Sequence, residues 1–331
     1  PLMTISQSFN LDGKLVLVTG ATRGIGRAVA IGAAAVGAEL IITGRTTGAL
    51  EEVDDAIRAA GSTATIVELD MKDYAAMPRL AAVIHDRWGR LDGFVANAAI
   101  LAPLTPVTHL TPDNWDESIA VNLTGQWHMI RALDPLLRAA PAGRAILVSS
   151  GAAVGSRPFW GPYAATKAAL EAVGRSWAGE SEQTSLRINM LNPGGTATGM
   201  RASAFPGEDP SSLPSPEDIV PAFLELLSDT CSYHGALVDA RDLAERGLLV
   251  GLLLLDGLAR ARARRAQLLG ARRRGARPFG LPGAATGQAP FCRSPLEGFS
   301  ILASPASCRR WPPPPPPCAP PQAPPAQVTL G

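Results

Sequence analysis

The sequence is poor in cysteine. Only four of its 331 residues are cysteines, and three of them lie beyond residue 290. So few thiols cannot form the dense disulfide framework of a small secreted domain, and none of them has the C-x-x-C spacing of a zinc site. We therefore predict free thiols, no metal site and a reducing compartment, the cytoplasm. The cysteines are Cys231, Cys292, Cys308 and Cys318.

Long apolar runs are also missing. The strongest apolar segment, residues 248–255, is interrupted by Gly251 and ends before Asp256. A helix needs about 20 apolar residues to span a bilayer, so this segment is too short. The first residues, with Met3 as the expected start, lack the basic-then-apolar pattern of a signal peptide. We expect no membrane partner.

The net charge is small for the whole chain but large in each of its two parts. The formal net charge is +1, yet residues 242–331 contain twelve arginines, no lysine and four acidic residues. That segment carries +8, which leaves −7 for residues 1–241. Half of the 30 prolines also follow residue 241. The composition indicates an acidic globular body followed by a basic, proline-rich extension. Because the net charge of the whole chain is close to zero, it gives no argument for a nucleic-acid partner.

We predict that the extension, residues 242–331, is mostly disordered. It contains an Arg/Ala/Gly run at 260–277 and polyproline at 312–317, and no periodic pattern supports a core beyond about residue 270. A frameshifted or read-through terminus is the favoured explanation. A basic interaction tail and an ordered helical addition within 242–269 are the alternatives. A nucleic-acid-binding tail is disfavoured because interleaved aromatic residues are lacking.

Residues 11–241, which follow a short N-terminal arm at 1–10, alternate between two hydrophobic periods. Such regular alternation predicts one α/β domain, a Rossmann-type doubly wound parallel sheet with helices on both faces. Apolar runs typical of buried strands occupy residues 14–19, 39–43, 63–69, 91–96, 144–149, 186–191 and 236–239. Helical patterns occupy residues 24–36, 47–60, 74–88, 112–139, 162–182 and 215–228.

A glycine-rich turn follows the first predicted strand. Glycines at such a turn let the backbone approach a pyrophosphate, and the next helix offers free N–H groups and its positive dipole end. The turn lacks the G-K-[ST] of a nucleoside-triphosphate loop. A ligand-free glycine turn is the alternative interpretation. The turn reads Thr19-Gly20-Ala21-Thr22-Arg23-Gly24-Ile25-Gly26.

The end of the second predicted strand bears on the type of dinucleotide. NAD sites usually place an acidic residue here for the ribose hydroxyls. This chain has Arg45 instead and no acid until Glu51. Arg45 and Arg23 could clamp a 2′-phosphate, so the pattern favours NADP, with NAD possible. A solvated residue at a helix start is the alternative for Arg45.

Polar residues in a recurring order form a candidate catalytic group. Tyr163 and Lys167 are spaced i, i+4 on one predicted helix and share a face. Ser150 lies thirteen residues before Tyr163, at a strand end, and that spacing selects it over the adjacent Ser149. Asn122 follows a long helical stretch, where a simple helix break is the alternative.

In this order and spacing, residues 11–241 resemble the short-chain dehydrogenase/reductase family, in its non-extended branch. The usual Asn-Asn-Ala-Gly after the fourth strand is altered here to Ala96-Asn97-Ala98-Ala99. The end of the family pattern is altered too, since Ala240-Arg241 follows the last strand. The matching residues are Thr19-Gly20-x-x-x-Gly24-x-Gly26, Asp70, Asn97-Ala98, Asn122, Ser150, Tyr163, Lys167, Asn192-Pro193-Gly194 and Thr198.

The resemblance implies a hydride transfer between NADP(H) and a carbonyl or secondary alcohol. Tyr163 would be the general acid or base, and Lys167 would favour its phenolate and hold the ribose hydroxyls. Ser150 would donate to the substrate oxygen. Asn122 would hold a water that connects Lys167 to solvent. A nucleotide-bound sensor or scaffold without catalysis is the alternative function.

The resemblance also implies how the cofactor lies. Asp70 would contact the adenine, Asn97 the adenosine side and Thr198 the carboxamide, with Thr196 as the alternative. The expected cofactor contacts are Gly20, Thr22, Arg23, Gly24, Ile25, Gly26, Arg45, Asp70, Met71, Asn97, Ala98, Tyr163, Lys167, Pro193, Gly194, Thr196 and Thr198.

The expected partner is a small-molecule carbonyl or alcohol, and the expected assembly is a homodimer or homotetramer. The loop at 199–216 is expected to cover the active site as a lid. Ser156, Arg157, Phe159 and Trp160 are expected on the opposite wall. These residues indicate a partly apolar pocket and do not identify the substrate.

Overall fold

The computed structural model describes residues 9–155 and 157–243. The predictions made for residues 1–8, for Ser156 and for residues 244–331 lie outside the described residues. They include the disorder of the extension and three of the four cysteines. Cys231 is a free, buried thiol.

Seven parallel strands form one sheet, in the order β3-β2-β1-β4-β5-β6-β7. The predicted doubly wound parallel sheet is therefore confirmed. Every residue of β1 is buried, as expected of a strand covered on both faces. The strands are β1 (Leu15–Thr19), β2 (Glu39–Gly44), β3 (Ala64–Glu68), β4 (Gly93–Ala96), β5 (Arg144–Val148), β6 (Arg187–Asn192) and β7 (Leu237–Asp239).

Helices connect the strands and cover the sheet. Within the described part of the chain, none of them is long and apolar enough to cross a membrane. The α-helices are α1 (Gly24–Ala34), α2 (Thr47–Ala59), α3 (Ala76–Trp88), α4 (Pro112–Ile119), α5 (Gly125–Ala139), α6 (Gly161–Glu180), α7 (Gly199–Ala204) and α8 (Val220–Leu227).

Two hydrophobic cores form because side chains alternate along each strand. Val16 and Val18 of β1 face the core formed with α1, α2 and α8. Leu15 and Leu17 face the core formed with α3, α5 and α6. Each fully buried aliphatic side chain contributes about 1.5–3 kcal/mol, so these two layers fix the strand register.

Two helical predictions need correction. The stretch predicted as one helix over 112–139 is divided by a π-helical turn, Ala120–Thr124, which contains the buried Asn122. The segment 199–216, predicted as a loop, begins with α7, whose first turn is capped by the Thr198 hydroxyl. Hydrophobic periodicity reports neither the hydrogen bonds from Asn122 to Ile100 nor the Thr198 cap.

The order of the strands determines where a ligand can bind. The chain runs from β1 outward through β2 and β3, then returns to place β4 on the other side of β1. The connections after β1 and β4 therefore leave in opposite directions, which opens a crevice at the carboxyl ends of the strands. The glycine turn, Tyr163 and Lys167 lie at this edge of the sheet.

Candidate active site

A cleft of about 220 Å³ opens at the carboxyl ends of the strands. It brings together most of the residues that the sequence nominated for a dinucleotide. The predicted residues that line it are Gly20, Thr22, Arg23, Gly24, Ile25, Arg45, Asp70, Met71, Asn97, Ala98, Tyr163, Lys167, Pro193 and Thr198.

The glycine turn is compact enough to require glycine. Gly20 has a φ of +65°, and a Cβ placed there would lie 2.9 Å from the Cα of Ala98. A Cβ on Gly26 would lie 2.4 Å from the carbonyl oxygen of Gly20. No side chain of the described residues caps the first turn of α1. Its N–H groups are thus available to an anion, and the turn fits a pyrophosphate.

Asn97 holds the glycine turn from the neighbouring strand. Its Nδ2 donates to the carbonyl oxygens of Thr19 at 2.8 Å and Gly20 at 3.2 Å. The Thr19 hydroxyl oxygen in turn accepts from the backbone N–H groups of Asn97 and Ala98. Asn97 lines the cleft, but the hydrogen bonds of its side-chain amide nitrogen stabilise the conformation of the glycine turn.

A recess at the outer end of the cleft is positively charged. Arg23 and Arg45, both exposed, line it together with Thr22, Thr46 and Ala49. No carboxylate belongs to this lining among the described residues. The recess therefore offers two guanidinium groups and two threonine hydroxyls, a donor set that suits a phosphate.

The inner end of the cleft holds Tyr163 and Lys167, which lie one turn apart on α6. Both are buried, and the ammonium Nζ of Lys167 lies 5.7 Å from the centre of the Tyr163 ring. That Nζ donates to the carbonyl oxygen of Val148 at 2.7 Å. Burial lowers the pKa of Lys167 from 10.5 to about 8. Burial raises the pKa of Tyr163, and a hydrogen bond with Ser150 opposes that rise.

The two serines after β5 have different partners. The Ser149 hydroxyl donates to the buried carboxylate of Glu171 on α6. Ser149 lines the cleft, but its hydroxyl proton is already used in the hydrogen bond to Glu171. Ser150 is half-buried, accepts from the N–H of Ala152 at 3.2 Å and hydrogen-bonds Tyr163. The Ser149 hydroxyl is thus hydrogen-bonded to Glu171, whereas the Ser150 hydroxyl lies beside Tyr163.

Asn122 lies at the centre of the π-helical turn and is fully buried. Its Oδ1 accepts from the N–H of Ile100 at 2.8 Å, and its Nδ2 donates to the Ile100 carbonyl at 2.9 Å. Its Nδ2 also donates to the Thr166 hydroxyl at 3.3 Å. The side-chain amide thus joins the loop after β4 to α6, next to Tyr163 and Lys167. π-Helical turns often occur at functional sites.

Several nominated residues lie outside the cleft lining. They are Gly26, Asn122, Ser150, Gly194 and Thr196. Thr196 is buried and donates to the carbonyl of Pro193, whereas its competitor Thr198 lines the cleft at the start of α7. The position of the two threonines therefore favours Thr198 as the cofactor contact.

The cleft also contains apolar residues that the sequence did not single out. Ile100 follows β4, Val121 lies in the π-helical turn and Leu69 follows β3. No motif marks these positions, and only the fold brings them to one edge. Within residues 9–155 and 157–243, no group of three His, Cys, Asp or Glu side chains is placed to hold a metal ion.

Comparisons with known proteins agree with this geometry. The family model described as short chain dehydrogenase matches residues 14–209. The uncharacterized oxidoreductase YciK of Escherichia coli (strain K12) is 39% identical over 222 residues, which are 66% of this chain and 88% of that protein.

Solved structures show the same similarity. A short chain dehydrogenase from Pseudomonas syringae is 39% identical with a TM-score of 0.68, and the match covers 70% of this chain and 95% of that one. A short chain dehydrogenase from Escherichia coli CFT073, complexed with NADPH, is 38% identical with a TM-score of 0.67. That match covers 70% of this chain and 97% of the E. coli chain.

Proposed function

The chain belongs to the short-chain dehydrogenase family, and we propose that it transfers a hydride between NADP(H) and a carbonyl or secondary alcohol. The observation that carries this proposal is the shared cleft. One end of it has a glycine turn that fits a pyrophosphate, and the other end has Tyr163, Lys167 and the neighbouring Ser150.

The residues present fit a dinucleotide along the whole cleft. The first turn of α1 would hold the pyrophosphate, Asp70 the adenine, Lys167 a ribose and Thr198 the carboxamide. When bound, the nicotinamide supplies or accepts the hydride. Arg23 and Arg45 would hold a 2′-phosphate, which supports NADP over NAD. The NADPH complex of the E. coli relative supports the same preference.

Tyr163 would act as the general acid during reduction. Its O–H donates a proton to the carbonyl oxygen as the carbon accepts the hydride, and in the reverse direction the phenolate takes that proton back. The Lys167 ammonium, close to the ring, favours the phenolate by its opposite charge. The Ser150 hydroxyl donates to the same oxygen, where negative charge develops.

Proton exchange with solvent would pass along α6 and the π-helical turn. Asn122 is anchored to Ile100 and Thr166, so this turn is held against the helix that carries Lys167. We assign to Asn122 the water that relays a proton from Lys167 to solvent.

The proposal extends to the assembly and the compartment. We propose a homodimer or homotetramer, cytoplasmic, with a small-molecule substrate and no nucleic-acid or membrane partner. The free, buried Cys231 is compatible with a reducing compartment.

The test is turnover of NADPH with a panel of ketones and aldehydes, run on the full chain and on its Tyr163→Phe variant. We expect the wild-type protein to oxidise NADPH in the presence of at least one carbonyl. The variant should bind NADPH with unchanged affinity and lose about 10²–10⁴-fold in turnover, the usual contribution of a general acid. NADPH binding without turnover of any substrate would favour the sensor or scaffold. Failure to bind NADPH would contradict the proposal.

A further inference from the structure

Aromatic rings from two separate segments meet beside Tyr163. Trp160, just before α6, stands edge-to-face against Tyr163, with ring centres 5.8 Å apart and planes inclined by 71°. Phe205, at the end of α7, lies 5.7 Å from Trp160 at an inclination of 31°. Both Trp160 and Phe205 are only partly buried. The described residues thus leave accessible ring surface next to the catalytic phenol.

Phe205 is held in place by an ion pair. The Arg201 guanidinium lies 3.8 Å from the centre of the Phe205 ring. The same guanidinium donates two hydrogen bonds, each 2.6 Å long, to the Glu208 carboxylate. The ion pair therefore neutralises the charge of Arg201 and orients its guanidinium against one face of the Phe205 ring, which leaves the other face to ring contacts.

Exposed apolar side chains also lie near Trp160, in sequence or in space. Val107, Phe159 and Val154 are 67%, 52% and 77% exposed. Phe159 directly precedes Trp160, and Val107 lies 3.1 Å from the position that a Cβ on Gly161 would take. Exposed apolar side chains that lie next to one another mark an interaction surface.

We propose that the substrate is a planar aromatic ketone, or the corresponding alcohol, whose ring packs against Trp160 and Phe205 while its oxygen reaches Tyr163. This inference rests on the proposed function and names its substrate class. In the reducing direction the ketone carbon gains the hydride of NADPH, its oxygen gains the Tyr163 proton, and NADP⁺ and the alcohol are released.

Ring geometry favours an aromatic ligand over a saturated one of the same size. Aromatic rings attract one another in offset and edge-to-face arrangements beyond the effect of buried area. The saturated counterpart of an aromatic ketone is at least as apolar, so a preference for the aromatic form reports ring contacts and not hydrophobicity. With contacts to two rings, we expect roughly a tenfold difference in affinity.

The wall also predicts a charge preference. The Arg157 guanidinium lies 5.8 Å from the Trp160 ring centre, and none of the ion pairs among the described residues includes it. A cationic ligand would be repelled there, whereas a neutral or anionic aromatic ketone would not.

The test measures binding without turnover. The full-length Tyr163→Phe protein, saturated with NADPH, is titrated by calorimetry with 2-acetylnaphthalene and with its fully saturated counterpart. We expect the aromatic ketone to bind about tenfold more tightly. Trp160→Leu and Phe205→Leu should each reduce this ratio severalfold. Trp115→Leu, a matched change at an exposed tryptophan of α4, should leave it unchanged.

Equal affinities for the two ketones, or a preference that survives both wall substitutions, would overturn the inference. If Trp160→Leu instead alters the sedimentation of the protein and not the ratio, the apolar patch is a contact between subunits and the inference is wrong. In each of these cases NADPH still binds and ketones can still be reduced, so the proposed function is left intact. Loss of NADPH binding in the wild-type protein would overturn both.

Discussion

We propose that the preference for NADP depends most directly on Arg45. It lies directly after β2, where an acidic residue would serve NAD. For Arg45→Ala we expect NADPH to bind about 10–100-fold more weakly, because a charge-assisted pair with the 2′-phosphate is lost. NADH affinity should change little, since NADH lacks that phosphate.

Titration followed by nicotinamide fluorescence measures the dissociation constants of NADPH and NADH for Arg45→Ala. Arg79→Ala is the matched control, because Arg79 is an exposed arginine of α3 paired with Asp73. It removes the same charge and should change neither constant. Equal losses of NADPH and NADH affinity in Arg45→Ala would show that Arg45 does not contact the 2′-phosphate.

Lys167 makes stability depend on pH in an unusual direction. Its pKa is about 8 in the folded protein against 10.5 when unperturbed, because its ammonium is buried. Below pH 8 the lysine is charged in both states, and folding bears the cost of burying that charge. As the pH rises from 8 to 10.5, the folded state releases its proton first. The cost then falls by about 3 kcal/mol, so stability contributed by this residue increases.

The measurement compares Tyr163→Phe with Tyr163→Phe/Lys167→Met by urea unfolding without cofactor. Removing the tyrosine from both proteins keeps its own titration out of the comparison. The free energy of unfolding of the lysine-containing protein should rise relative to the other by about 3 kcal/mol between pH 8 and 10.5. A difference that stays constant over this range would show that Lys167 has an ordinary pKa.

At the scale of elements, α6 packs closely on the sheet that it helps to cover. A Cβ on Gly174 would lie 2.6 Å from the Sδ of Met190 and 2.7 Å from the Cδ1 of Leu147. Both neighbours are fully buried, so they have little room to move. We expect Gly174→Ala to lower the free energy of unfolding by about 1–3 kcal/mol, the usual cost of overpacking.

Gly179, on the same helix, provides the opposite case. No described atom lies within 4 Å of a Cβ placed there. Gly179→Ala should therefore stabilise the protein by about 0.5–1 kcal/mol, through helix propensity alone. Urea denaturation of the two variants gives both values. The packing explanation fails if Gly174→Ala is as stable as Gly179→Ala.

Patterns that are local in sequence predicted the elements and much of the site. Short apolar runs predict the buried strands. The four-residue spacing of Tyr163 and Lys167 predicts that both side chains lie on one face of a helix. The π-helical turn could not be predicted in this way. It depends on hydrogen bonds from Asn122 to Ile100, which is 22 residues away in the chain.

Contacts between segments that are distant in the chain could not be predicted from the sequence either. Ser149 donates a hydrogen bond to Glu171, and Ser150 does not. The sequence alone distinguishes these adjacent serines only by their spacing from Tyr163. Trp160 and Phe205 are 45 positions apart, and each was expected on a different wall of the pocket. Their contact appears only once α6 and α7 are placed at the same edge of the sheet.

At the scale of the whole molecule, the packed body extends slightly beyond the predicted boundary at residue 241. Leu243 is buried in the core that β1 forms with α1, α2 and α8. β7 forms the last edge of the sheet and pairs with β6. We propose that residues 11–243 carry the fold and the site.

Removal of the extension tests this division. A chain ending at Leu243 should bind NADPH with the affinity of the full chain, because the described cleft is built from residues 20–200. Its melting temperature should stay within about 2 °C of the full-length value, the change expected when no core contact is lost. Cofactor fluorescence and thermal unfolding of the two chains provide the comparison. If truncation abolishes folding or weakens NADPH binding tenfold or more, the extension belongs to the functional domain and is not a dispensable terminus.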